Sequence, residues 1–337
     1  MLNIGIVGLG YWGPNYLRIF SQLDGCNVIA AADKYARRTD QISKSYPQVE
    51  VFSDFRDMIR QVSLDAVVIA TPTTTHFPFT SEILSKGCHV LLEKPLAMTT
   101  DESKFLCRLA DKKKKVLMVG HTFLFNKAVY WIKKAIKTKK IGNVFYIHAQ
   151  RTNLGPIRHD VNALYDLAPH DISMILYLLD KDPVRVSANG AAFLNKDRED
   201  VCYVHLEFKD GTMGHIHVSW LEPRKVRQLT VIGDEKMIVF DDVNLTEPVR
   251  VFNKGVTVTK EYKTFGEFQM VLRDGNIIIP KIKLSEPLKT QCQAFLNAIE
   301  SGKKPFSNGL FGLKVVRVLE AANQSLKTGG KPVRIRA

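Results

Sequence analysis

The chain has 337 residues, 45% of them apolar and 24% charged, and carries a formal net charge of +14 from 48 lysines and arginines against 34 aspartates and glutamates. This composition excludes a disordered, collagenous or low-complexity protein. No apolar run is long enough to span a bilayer, and the apolar start at Leu2 lacks a basic flank and a small-residue cleavage site, so a cytoplasmic protein without a membrane partner is expected.

In chain order, Asn3–Val7 reads as a strand and Gly13–Leu23 as a helix with Leu17, Phe20 and Leu23 on one face. Asn27–Ala32 is a strand, Arg37–Tyr46 a helix, Val49–Phe52 a short strand, Phe55–Gln61 a helix, and Ala66–Ala70 a strand ended by Thr71-Pro72. Phe77–Ser85 is a helix, His89–Leu92 a strand, Asp101–Lys113 a helix and Val116–Gly120 a strand. Non-alternating strands separated by helices indicate a parallel sheet covered on both faces. Beyond Gly120 the pattern changes. Ala128–Thr138 is helical, and Asn143–Thr152, Arg185–Ala192, Val201–Lys209, Thr212–Trp220, Gln228–Gly233 and Met237–Asp241 read as longer strands of an antiparallel meander. Asp210-Gly211 is a hairpin signal between two of them. Pro287–Ser301 and Leu310–Lys327 close the chain as helices. The fold class expected is an α/β Rossmann domain over 1–121 followed by an α+β substrate-binding and oligomerisation domain over 122–337, built on an open, mainly antiparallel sheet. Such a sheet suits packing against a copy of itself, so a homodimer or homotetramer is expected.

Gly8-Leu9-Gly10-Tyr11-Trp12-Gly13 lies between the first strand and the first helix, where a dinucleotide fingerprint must lie. The glycines permit a tight turn and close backbone approach to a pyrophosphate, and the helix N-terminus offers free N–H groups. Asp33 ends the second strand about 20 residues on, placed to accept the ribose hydroxyls of NAD and repel a 2′-phosphate. Lys34, Arg37 and Arg38 are cations that would suit NADP, but NAD is favoured. Thr71-Pro72 lies at the carboxyl edge of the sheet, where ligands bind in such folds, and His76 either contacts the cofactor or caps the next helix. The basic run Lys112–Lys115 reads as a solvated turn, and no nucleic-acid partner is expected. A basic surface would nonetheless attract anionic small molecules. Cys26, Cys88, Cys107, Cys202 and Cys292 are scattered and odd in number, which points to reduced, buried thiols and to no metal site.

Asp166 and His170 are four apart, so on a helix they share a face, and a carboxylate there can orient an imidazole of reference pKa about 6.5. On spacing alone, His170 could equally pack a helix beside Pro169, and Lys94 could be an exposed strand-end lysine. Asp171 points to another helix face and reads as structural. Arg151, Arg158 and Asn162 precede the Asp166 helix in a loop and would suit a carboxylate or diphosphate, or would form a solvated basic loop. His121 and Asn126 open the second domain and could border the nicotinamide.

With the Gly8–Gly13 turn, Thr71-Pro72 through His76, Glu93-Lys94-Pro95 and Asp166-Leu167-Ala168-Pro169-His170-Asp171, the chain resembles the Gfo/Idh/MocA oxidoreductase family over essentially its whole length. Gly10-Tyr11-Trp12-Gly13-Pro14-Asn15, Asp160-Val161-Asn162 and Glu286-Pro287-Leu288 with Gln291-Cys292 most resemble its branch of UDP-N-acetylglucosamine and uronate 3-dehydrogenases. Where the family often has Gly-Gly before the aspartate, this chain has Leu164-Tyr165, a variation associated with that branch. The resemblance implies that Lys94 sits beside the nicotinamide and the reacting sugar carbon, and that Asp166 and His170 complete the site. Glu93 and Lys94 are then expected to meet the cofactor, and Lys94, Asn126, Arg151, Arg158, Asn162 and His170 the substrate. His170 would be the general base, Lys94 the electrostatic stabiliser and proton relay, and Asp166 the orienter, with Lys94 and His170 able to exchange roles. The function implied is NAD-dependent hydride transfer from C3 of a UDP-N-acetyl sugar or its uronate. Alternatives are a dehydrogenase or ketoreductase of a free sugar or inositol, and a non-catalytic NAD-binding regulator.

Overall fold

The apolar runs and amphipathic segments of the first third assemble a six-stranded parallel sheet. In the computed structural model, which describes residues 1–258 and 270–335, the order is β1 (Leu2–Val7), α1 (Gly13–Phe20), β2 (Cys26–Ala32), α2 (Ala36–Ser45), β3 (Glu50–Phe52), α3 (Phe55–Gln61), β4 (Ala66–Ile69), α4 (His76–Ser85), β5 (His89–Glu93), α5 (Thr100–Lys113) and β6 (Leu117–Gly120). The strands lie in the order β3-β2-β1-β4-β5-β6, all parallel. The order reverses between β1 and β4, and ligands bind outside the carboxyl ends of strands at such a point. Val67, Ile69, Val90, Leu92 and Val119 are wholly buried, which is why these strands show no alternation. The helices start where the sequence caps them. The Asp54 carboxylate accepts from the Arg56 N–H at the head of α3, and Thr99 and Glu102 form a reciprocal capping box on α5. Each such cap is worth about 1 kcal/mol.

The remaining chain runs through α6 (Lys127–Lys137), β7 (Val144–Leu154), α7 (Ala163–Leu179), β8 (Arg185–Ala191), β9 (Val201–Glu207), β10 (Met213–Ser219), β11 (Leu221–Gly233), β12 (Met237–Asp241), β13 (Val249–Phe252), β14 (Gly255–Val258), β15 (Met270–Arg273), β16 (Ile277–Ile278), α8 (Pro287–Ser301), α9 (Gly309–Lys327) and β17 (Val333–Arg334). Nine strands form one mixed sheet, β16-β13-β12-β11-β7-β10-β9-β8-β17. This corrects the simple meander. β7 inserts between β10 and β11, parallel to the first and antiparallel to the second. The hairpin at Asp210-Gly211 joins β9 and β10, with Gly211 at φ +84°. One face of this sheet buries Ile147, Ala149, Val204, Ile216, Val218, Leu229 and Val231. α7 packs across β7, β9 and β10 with Ile172, Ile175 and Leu176 buried.

The chain divides into two compact units, Met1–Phe125 with Ser285–Glu320, and Asn126–Leu284 with Ala321–Ala337. Residues 285–320 thus belong with the parallel sheet, whereas the two-range division at 121 assigned them to the second domain. The physical reason is burial. α8 packs on α1 and on the turn at Thr122–Phe125, and Leu313 and Val316 of α9 join the apolar cluster of Val90, Leu92 and Val119. All five cysteines are free and buried. Among the described residues no helix is long and apolar enough to cross a membrane.

Candidate active site

The glycine turn has the form a dinucleotide requires. Gly8 has φ +91°, and a Cβ on it would lie 2.6 Å from the Ala70 carbonyl oxygen. A Cβ on Gly13 would lie 2.0 Å from the Gly8 carbonyl oxygen, so both positions are closed to a side chain. Gly10 differs, since its nearest neighbour is the Arg38 guanidinium at 3.9 Å. Its backbone faces a space that only a Cβ would fill. α1 begins at Trp12 with no side-chain cap, a proline in the first turn and no acidic residue there, which leaves its dipole and N–H groups for an anion. Tyr11 is 82% exposed and meets the partly exposed Trp12 edge to face at 5.2 Å.

Asp33 is buried at the end of β2. Its Oδ2 accepts from the Leu9 N–H at 2.7 Å and its Oδ1 from the Tyr35 N–H at 2.9 Å, which ties the acid to the glycine turn. Arg38 donates to the same carboxylate at 3.1 Å and lies over the Tyr35 ring, with Lys34 over that ring as well. A phosphate cradle, an uncapped helix and a ribose-side carboxylate together fit a nicotinamide dinucleotide.

Thr71 follows β4, and Glu93 ends the neighbouring β5. The His76 ring nitrogens lie 2.6 Å from the Pro95 carbonyl oxygen and 3.0 Å from that of Thr71. His76 opens α4 and ties these two loops together. Its ring is thus engaged with main chain through both nitrogens. Lys94, before the cis Lys94–Pro95 peptide, is buried, and its N–H donates to Glu93 Oε2 at 3.2 Å. His121 follows β6 and is wholly buried against Phe311, with neither ring nitrogen hydrogen-bonded. Burial, aided by the Lys94 charge, pushes its pKa down to about 3, so it is a neutral imidazole.

Asp166 lies in the first turn of α7, where its charge suits the helix dipole, and it shares a helix face with His170. Arg158 donates to Asp166 Oδ1 at 3.3 Å and to Asp160, and the indole N–H of Trp220 donates to Asp166 Oδ2 at 3.2 Å. Three of the residues expected to meet the substrate have partners within the protein. Arg151 is not in a loop. It lies on β7, 4% exposed, and donates to the buried Asp171 at 2.9 and 3.0 Å, pinning α7 to the sheet. Asn162 caps α7 by accepting from the Tyr165 N–H and donates to Glu199. Asn126 caps α6 by accepting from the Ala128 N–H and donates to Asp242. A buried polar side chain takes the partner that desolvation demands, and spacing alone does not reveal it.

Sequence reasoning missed a buried chain behind Lys94. The Tyr16 hydroxyl donates to Glu93 Oε1 at 2.6 Å and accepts from Gln291 Nε2 at 3.0 Å, and the Thr122 hydroxyl donates to Gln291 Oε1 at 2.8 Å. Tyr16 stands three residues beyond Gly13 on the first turns of α1, and Gln291 lies in a stretch already marked by the resemblance, but neither position pairs the two.

Two family profiles match the chain: the Gfo/Idh/MocA oxidoreductase family with its NAD-binding Rossmann fold over residues 2–121, and the Gfo/Idh/MocA C-terminal domain over residues 129–239. The chain belongs to the Gfo/Idh/MocA family. It is an enzyme, an NAD-binding oxidoreductase of the dehydrogenase class. It is 25% identical over 331 residues to the UDP-N-acetylglucosamine 3-dehydrogenase of Acidithiobacillus ferrooxidans, covering 96% of each chain. It is 23% identical over 341 residues to the scyllo-inositol 2-dehydrogenase (NAD(+)) of Bacillus subtilis, covering 97% of this chain and 95% of the other. In fold it matches the WlbA dehydrogenase from Bordetella pertussis, solved in complex with NADH and UDP-GlcNAcA, at a TM-score of 0.81 and 20% identity, covering 100% of this chain and 99% of that one.

Proposed function

We propose that the enzyme oxidises C3 of a UDP-N-acetyl sugar or its uronate, with hydride passing to NAD. The observation that carries this reading is the end-to-end similarity to a UDP-N-acetylglucosamine 3-dehydrogenase, with Lys94, Asp166 and His170 all at the positions that the family resemblance marks. The bound nicotinamide supplies the hydride acceptor. His170 takes the hydroxyl proton as the carbonyl forms. Lys94 stabilises the negative charge that gathers on that oxygen and relays the proton, giving one ammonium proton to His170 as it takes the hydroxyl's. Asp166, itself held by Arg158 and Trp220, orients the imidazole. Arg158, in the loop before α7, donates to Asp160 and Asp166 through all three guanidinium nitrogens, and its charge still suits an anionic group of the substrate. The first unit serves as the nucleotide-binding domain and the second as the substrate domain. The exposed face of the nine-stranded sheet, carrying Tyr146, Tyr203, Met213 and His215, packs against a second copy in a homodimer or homotetramer.

The full-length similarity to an inositol dehydrogenase supports a second reading, oxidation of a free polyol or sugar. Deuterium separates the two. UDP-N-acetylglucosamine, or its uronate, deuterated at C3 should deliver the label to the reduced cofactor, while the same sugar deuterated at another carbon should not. Label lost from another carbon, or no reaction with either UDP-sugar, would overturn the assignment.

A further inference from the structure

Glu93 is buried to 7% exposure, a costly place for a carboxylate unless donors surround it. A carboxylate only accepts, so the Tyr16 O–H, 2.6 Å away, must be the donor. That choice fixes the rest. The Tyr16 oxygen then accepts from the Gln291 amide at 3.0 Å, and the amide oxygen is left to accept from the Thr122 hydroxyl at 2.8 Å. Every donor in the series points toward Glu93, so each bond polarises the next. Burial and the Glu93 charge push the Tyr16 phenol well above its ordinary range, which keeps that proton in place. The other carboxylate oxygen accepts the main-chain N–H of Lys94. The packing around the series is close, for a Cβ on Gly120 would lie 3.1 Å from the Tyr16 hydroxyl and 3.5 Å from the Gln291 amide nitrogen. Tyr16 and Gln291 are both wholly buried. Their partners come from α1, β5, the turn after β6 and α8, all within the first unit.

We propose that Tyr16 and Gln291 are positioning residues for Lys94. Acting through Glu93, they clamp the main-chain nitrogen from which the reactive lysine departs, so the ammonium starts from a fixed point. The series also gives α8 a purpose. It returns from a distant part of the sequence to place an amide behind the catalytic turn. The kinetic part of this inference rests on the proposed reaction, whereas its structural part does not.

The test compares Tyr16→Phe, which keeps the ring, and Gln291→Leu with the unaltered enzyme by two measurements. Amide hydrogen exchange of the segment 92–97 needs no substrate. It should speed up by about tenfold in Tyr16→Phe, with a smaller change in the same direction in Gln291→Leu, and stay constant in the segment 26–32. Turnover of UDP-N-acetylglucosamine and its uronate should lose about tenfold in kcat, with KM for sugar and cofactor and the Kd for NADH within about twofold. A merely structural role would lower the unfolding midpoint and leave this split unmoved. Unchanged exchange at 92–97 in both variants overturns the proposal, and so does a loss confined to cofactor affinity. If exchange rises but even the unaltered enzyme turns over neither UDP-sugar, the positioning role stands and the substrate reading falls.

Discussion

His121 shows how a side chain's surroundings decide its chemistry. Buried with no hydrogen bond to either nitrogen, and near Lys94, it has its pKa pushed down to about 3, while His89, whose Nδ1 accepts from the Val116 N–H, is pushed down to about 4. The folded protein therefore refuses protons that the unfolded chain accepts below about pH 6.5. Their contribution to stability is complete above that pH and is lost on acidification toward the folded values. For His121 the loss is about 1 kcal/mol over the first pH unit below 6.5. Urea unfolding at pH 7 and at about pH 5.5 should show His121→Phe losing less stability on acidification than the unaltered protein; equal losses would contradict the account. Lys94→Ala should lower kcat by about a hundredfold or more while the NADH Kd changes little, because the phosphate and ribose ends of the cofactor site are built from other residues.

At the scale of elements, the strand–turn–helix unit makes a prediction that separates folding from binding. Gly10→Ala meets no protein atom closer than 3.9 Å, so it should unfold as the unaltered protein does yet bind NADH about tenfold or more weakly, the new methyl standing where phosphate must approach. Gly13→Ala would drive a Cβ against the Gly8 carbonyl and should lower both stability and binding. Calorimetric titration with NADH beside thermal melts distinguishes the two. In the second unit the Arg151–Asp171 pair is almost dry, and burial pushes the Asp171 carboxyl up while Arg151 pulls it back. Breaking it with Asp171→Ala should destabilise by about 3–5 kcal/mol, since the buried guanidinium loses its bidentate carboxylate. Replacing both partners by leucine and methionine should cost much less.

These elements also mark what the sequence could reveal. Gly8, Gly10, Gly13 and Asp33 were legible because their signal is local, a turn between a strand and a helix with an acid one strand further on. The strand runs of the parallel sheet were legible because both faces are buried. β7 was legible as a strand but not as the parallel neighbour of β10, since an alternating strand does not state its partner. Arg151, Asn126 and Asn162 looked available because spacing shows residue type and not burial. Gln291 reaches Tyr16 across 275 positions, and nothing in the local pattern near either residue announces that contact.

At the scale of the whole molecule, the open sheet face and the site together predict an assembly and a substrate. Tyr203 and His215 stand exposed on neighbouring strands of one sheet face. Tyr203→Asp should shift sedimentation from dimer or tetramer toward monomer; a chain that is already monomeric at micromolar concentration removes the proposed interface. The substrate decides the reaction. Reduction of NAD by the purified enzyme, followed by NADH absorbance, should be seen with UDP-N-acetylglucosamine or its uronate, should be absent with inositol and glucose, and should vanish in Lys94→Ala. Steady NADH formation from inositol or glucose, with none from either UDP-sugar, would contradict it.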